Sequence, residues 1–246
     1  MNYKTWKIFL IWGWSIKNWD TNFIEQKILE SVWKKQINIL MINYANSLKN
    51  DTNYLDKFRK AYDIFNEYDI SFDQLHYSES FIDNIKNNKL NKADIVYFWW
   101  GNTLKLLKSL KKTNLFNEII KLYLYNNKII VWRSAWALIF FQKFLSEKWI
   151  NNSSIWIFNW FNFLQWIWSV HLTEYNEWPL LEKFVLNKKI NWIWLDECSC
   201  LIIENWQFCI FNKENKNVYK YLCDKKYISI KILLNSNFID VNYLYF

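Results

Sequence analysis

Apolar residues recur along this chain in two rhythms. Runs rich in Ile, Val, Leu and Phe occupy 7–11, 37–42, 93–98 and 129–131, with the little polar alternation expected of strands buried on both faces. Between them the spacing changes to three and four. The pattern over 23–32 predicts a helix that enters through Asp20 or Thr21 as N-cap and ends near Trp33. Asp51 can cap a second helix, on which Tyr54, Phe58, Tyr62 and Phe65 share one face as core. A weaker strand over 70–72, a helix from about 78 to 87, and a helix carrying Leu104, Leu106, Leu107 and Leu110 continue the alternation.

Strand and helix in regular succession predict an α/β protein: a mainly parallel sheet with helices on both faces, its functional loops at the C-terminal ends of the strands. The loops beginning at Trp12, Asn43, Trp99 and Ser134 all meet that condition. Near the end the rhythm becomes that of strands only. Residues 200–211 read as two strands joined at Asn205-Trp206, a C-terminal β-hairpin region, and 212–246 alternates polar and aromatic residues as extra strands would. One domain over 1–246, with 211–246 as an extension, accounts for the pattern.

Composition changes the picture at one point. A chain of 246 residues has 2 glycines and 18 tryptophans, where the usual ~7% glycine would give about 17. Several tryptophans stand where backbone chemistry asks for glycine. Trp33 falls at the residue after a helix end, and Trp206 follows Asn205 in a tight hairpin. The tryptophans at 12, 14, 99 and 100 lie beside the surviving Gly13 and Gly101 in loops after strands. The expectation is that the gene uses UGA as a glycine codon and is written here with UGA read as tryptophan.

The net charge is +8, yet the lysines are scattered and Arg59 and Arg133 are the only arginines. A solvated basic surface is expected rather than a nucleic-acid site. No run of about 18 uncharged apolar residues predicts a membrane span, and the early lysines of 1–14 lead into a core strand rather than a secretory signal. Cys198, Cys200, Cys209 and Cys223 lack paired metal-ligand spacing, so buried thiols are expected, with neither a metal nor a disulfide. The reading is a cytoplasmic protein without cofactor.

The candidate chemistry gathers at Ser134. A β-branched run leads into Trp132-Arg133-Ser134-Ala135-Trp136, and an apolar run without Gly or Pro continues to Phe141. That is the setting of a strand-to-helix nucleophile elbow, normally G-x-S-x-G, with tryptophan at both glycine positions. With glycine restored the segment reads G-R-S-A-G-A, and 94–103 reads D-I-V-Y-F-G-G-G-N-T.

These motifs, in this order from about Lys7 to about Phe211, resemble the S51 serine peptidases, the family of dipeptidase E and cyanophycinase. The resemblance implies a three-layer αβα sandwich like that of class I glutamine amidotransferases. It implies Ser134 as nucleophile, with Gly101 and Ala135 supplying the oxyanion N–H groups and Asn102 shaping the substrate site. It also implies His171 as base, where Val170-His171-Leu172-Thr173-Glu174 resembles the family's P-H-Y-D-E, with Val170 in place of proline. The acid lies after the serine, and Glu147, thirteen residues on in Ser146-Glu147, fits that place. Glu174, Asp196 and Glu197 compete for it.

The Ser134 to His171 separation of 37 residues is too short for an ordinary α/β-hydrolase. The substrate implied is a short peptide or dipeptide. Residues 175–184 offer Lys183 but no arginine to hold an acidic side chain, so Asp-X cleavage is not expected. A catalytically inactive ligand-binding relative is the alternative reading, and monomer and homodimer both stay open.

Overall fold

The computed structural model describes residues 7–12, 21–44, 52–99, 103–134, 137, 141–146, 164–171, 192–195, 198–204, 207–212, 218–224, 227–233 and 239–240. Its centre is a set of five parallel strands: β1 (Lys7–Trp12), β2 (Gln36–Ile42), β3 (Asp69–Leu75), β4 (Ile95–Phe98) and β5 (Ile129–Arg133). They stand in the order β1-β5-β4-β2-β3. On the far side of β1 the sheet continues antiparallel through β9 (Ser199–Glu204), β10 (Gln207–Asn212) and β13 (Ile239–Asp240).

Alternation along each central strand divides the core in two. Phe9, Ile11, Ile39, Met41, Tyr97 and Val131 meet α1 (Asn22–Glu30) and α2 (Thr52–Tyr62) through Ile24, Ile28, Phe58 and Tyr62. Ile8, Leu10, Leu40, Val96, Ile130 and Trp132 face the other way. They pack with Leu90, Leu107, Leu110 and Phe116 of α3 (Asp83–Lys92), α4 (Thr103–Thr113) and α5 (Leu115–Asn126). The three-layer α/β architecture expected from the rhythm is therefore present. Each buried Leu, Ile or Phe contributes about 1.5–3 kcal/mol by leaving water, which is why central strands carry apolar residues on both faces.

A second sheet, in the order β12-β11-β8-β7-β6, is built from β6 (Phe141–Ser146), β7 (Leu164–His171), β8 (Trp192–Leu195), β11 (Val218–Asp224) and β12 (Tyr227–Leu233). The polar and aromatic tail thus supplies strands, as its alternation predicts.

Three local readings differ from the structure. The apolar run after Ser134 is expected to be helical to Phe141; of it the structure describes Ala137, in a 3-10 turn, and Phe141, which differs by opening the strand Phe141–Ser146 that pairs in parallel with β7. The helix expected over 78–87 is broken. A short 3-10 turn, Glu79–Phe81, precedes an extended Ile82 (φ −105°, ψ 96°), and the α-helix then runs Asp83–Lys92. Helix α5 goes beyond the elements that the rhythm predicts, and Leu115, Phe116 and Ile119 carry its buried face. Left-handed Asn114 and Asn127, both at φ 53°, delimit it, a conformation asparagine tolerates better than most residues.

Two positions bear on the glycine question. Thr21 caps helix α1, its carbonyl accepting from the N–H groups of Ile24 (2.9 Å) and Glu25 (3.1 Å), and after the helix ends at Glu30 the Trp33 N–H donates back to the Glu30 carbonyl (3.4 Å). Trp33 has φ 60° and is 79% exposed. A left-handed residue after a helix is the place of glycine, and the indole has no packing there to offset the strain. In the hairpin, Glu204 faces Gln207 across the antiparallel ladder. Asn205 and Trp206, where the sequence predicts a turn of the Asn-Gly kind, lie between that pair and outside the described residues.

Candidate active site

The parallel register aligns the C-terminal ends of the central strands. Ile42 lies beside Phe98, Phe98 beside Trp132, and Ile11 beside Arg133. Ser134, the residue after β5, consequently sits at the same edge as the loops that follow β1, β2 and β4. It is buried, 4% exposed, with φ 60°. A serine forced into the left-handed region at the end of a central parallel strand is the backbone signature of a nucleophile elbow, and such strain of about 1–3 kcal/mol persists only where the surroundings impose it.

What precedes the serine is crowded. Trp132 is fully buried, and its indole lies flat on Phe98, ring centroids 3.5 Å apart and planes 5° from parallel. Aromatic pairs favour offset or edge geometries with centroids 4.5–7 Å apart. Position 132 holds the larger ring at the limit of contact.

Beneath Ser134, on the opposite face of β5, is a buried polar cluster. Arg133, 1% exposed, donates from Nη2 to Oε1 of Glu25 (2.8 Å) and to the Thr21 hydroxyl (2.6 Å). Glu25 is 2% exposed; its Oε1 also accepts from the Tyr97 hydroxyl (3.0 Å), and its Oε2 from the Tyr62 hydroxyl. Burial, then the neighbouring Glu25 carboxylate, push the Tyr62 phenol well above its ordinary range, and burial does the same at Tyr97. Both hydroxyls therefore stay protonated as donors. Burial opposes the charge on Arg133, but its acidic surroundings, with the Glu25 carboxylate as the charged partner, hold it above arginine's ordinary value. The guanidinium lies 5.5 Å from the ring of Trp99, the first residue after β4. The spacing of the aromatic residues places Tyr62 on a core face, and nothing in that pattern marks Glu25. The available signal was one of two arginines standing next to the candidate nucleophile.

His171 is the last residue of β7, where it pairs across the parallel ladder with Ser146. Ser134 follows a strand of the first sheet and His171 ends a strand of the second. Gly101, Asn102, Ala135, Glu147, Glu174, Asp196 and Glu197 lie outside the described residues. Their immediate neighbours are informative. Ser146, next to Glu147, is the ladder partner of His171. Cys198, next to Glu197, has φ 64° and donates its N–H to the carbonyl of Trp12 (2.8 Å), at the end of the strand beside β5. Among the described residues no group of three or more His, Cys, Asp or Glu side chains could hold a metal ion, and no helix is long and apolar enough to cross a membrane.

Comparison with known proteins places this geometry. The model of peptidase family S51 matches residues 8–211. A peptidase from an acI-B1 Actinobacterium has the same fold, with a TM-score of 0.69 over 96% of this chain and 98% of that one, at 15% identity. A putative peptidase E protein from Listeria monocytogenes EGD-e matches with a TM-score of 0.60 over 85% of this chain and all of that one, at 17% identity. No curated protein sequence matches the chain.

Proposed function

The chain belongs to peptidase family S51, and on that premise we propose that it is a serine peptidase hydrolysing short peptides or dipeptides through Ser134, without a cofactor. The observation that carries the reading is the buried, left-handed Ser134 at the end of β5, in line with the loop that follows β4. In this reading His171 takes the proton of the Ser134 hydroxyl as the oxygen attacks the scissile carbonyl carbon. The N–H groups of Gly101 and Ala135 receive the oxyanion, each donor worth about 3–4 kcal/mol in the transition state. The protonated imidazole then passes its proton to the leaving amine, and water releases the acyl group by the same route. Asn102 shapes the substrate pocket.

Glu147 orients the imidazole; the pairing of its neighbour Ser146 with His171 supports that assignment. A second assignment, Glu197, draws support from the bond between Cys198 and Trp12, which ties the adjacent residue to the sheet edge beside Ser134. Residence in the cytoplasm is the reading that the free thiols of Cys198, Cys200 and Cys209 favour.

The proposal includes glycine at positions 132 and 136. The flat stacking of Trp132 on Phe98 supports it, because the site as written is filled where an elbow needs room. With tryptophan there, a catalytically inactive ligand-binding relative becomes the better reading. A fluorophosphonate probe separates the two: covalent labelling at Ser134, abolished in Ser134→Ala together with peptidase activity, is expected of the enzyme. Full activity in Ser134→Ala refutes the proposal.

A further inference from the structure

The cluster under the elbow joins parts of the chain that are far apart in sequence. Arg133 is covalently next to Ser134, and its guanidinium reaches Thr21, where the segment following β1 rejoins a helix. The same group lies against Trp99, the start of the segment that leads to Gly101. Glu25 anchors it from α1, while Tyr62 of α2 and Tyr97 of β4 complete the carboxylate's hydrogen bonds. One ion pair therefore touches one end of each of three segments at the catalytic edge.

An isolated buried charge is costly, and a paired one is stable only with good geometry and additional hydrogen bonds. Here both carboxylate oxygens are engaged and the charges cancel. An apolar pair would fill the same space at no electrostatic cost, so the retention of charge here asks for a reason other than stability. Ser134 supplies one: a left-handed residue at a strand end relaxes unless the preceding residue is fixed. Arg133 is fixed through Nη2 by two short hydrogen bonds, to Glu25 of α1 and to Thr21 at its N-cap.

We propose that Arg133 and Glu25 are positioning residues for the reaction, a buried ion pair that holds Ser134 in its left-handed conformation and in register with the loop after β4. The inference rests on Ser134 being the nucleophile. It does not require either side chain to touch substrate.

The test uses the chain as its own cell translates it. Active sites are titrated with a fluorophosphonate, and kcat per titrated site, KM and the thermal midpoint are measured for Glu25→Gln, Glu25→Asp and Arg133→Lys. The expected result is a kcat per site lower by between about tenfold and a hundredfold in Glu25→Gln and Arg133→Lys, with KM within about twofold and partial recovery in Glu25→Asp. If a single variant does not fold, the double variant Arg133→Met with Glu25→Leu removes both charges, and the same loss of kcat per site is expected of it. Lowered midpoints with unchanged kcat per site would make the pair merely structural and overturn the inference while leaving the peptidase reading intact. Absence of labelling at Ser134 in the unaltered chain would overturn both.

Discussion

Trp132 and Phe98 stack face to face with ring centroids 3.5 Å apart, on adjacent strands and two residues ahead of the candidate nucleophile. Ile130, Phe116 and Val96 belong to the same buried layer. A glycine at 132 would release the elbow. The expected outcome is that the chain with Trp132→Gly and Trp136→Gly reacts with a fluorophosphonate at Ser134 and the chain as written does not. Peptide mass spectrometry of the native protein is expected to find glycine at both positions.

Trp33 offers a stability test independent of activity. Its backbone is left-handed and its side chain 79% exposed, so Trp33→Gly relieves strain and removes almost no packing. An increase of about 1 kcal/mol in unfolding free energy is expected, read as a higher urea midpoint. Trp33→Ala keeps the Cβ penalty and is expected to give no such gain.

The acid of the triad can be assigned by paired substitutions. If Glu147 orients His171, Glu147→Gln lowers kcat by about 10⁴-fold, and Glu197→Gln stays within about tenfold of the unaltered chain. The opposite ranking transfers the role to Glu197, and comparable kcat in both refutes each assignment.

Alkaline pH should weaken the fold through β9 and β10. Burial, with Glu204 adding to it, raises the Cys209 thiol from 9.0 to about 11, and burial raises Cys200 well above the ordinary thiol range. Between pH 9 and about 11 the folded chain keeps a proton at Cys209 that the unfolded chain has lost. Stability is therefore complete below pH 9 and falls as pH rises through that window. Cys209→Ala is expected to flatten the loss, measured as the thermal midpoint between pH 8 and 11.

Phe58 is the aromatic hub of the α1 and α2 face, with rings of Tyr62, Phe72, Tyr97 and Trp99 within 5.5 Å of its centroid. Phe58→Ala is expected to cost about 3–5 kcal/mol by leaving a cavity, visible as a lower urea midpoint. Because Tyr62 and Tyr97 also bind Glu25, activity should fall further than the folded fraction.

The sequence alone determined the repeating strand and helix, the strand ends at which function gathers, and Ser134 as the residue to ask about. It also located the glycine-like positions, because a left-handed turn after α1 and a two-residue hairpin are local requirements that few residue types meet. Hydrophobic periodicity is local too, which is why β1, β2, β4 and β5 were legible. What only the tertiary structure decided depends on contacts between distant segments. The strand at 141–146 forms because β7 pairs with it, and α5 is bounded by two asparagines whose left-handed φ no periodicity reveals. The Glu25 to Arg133 bond spans 108 residues. The sequence marks Arg133 by its place beside Ser134 but does not mark its partner, because a buried charge is stable only when paired, and the partner is brought by the packing of α1 against the sheet.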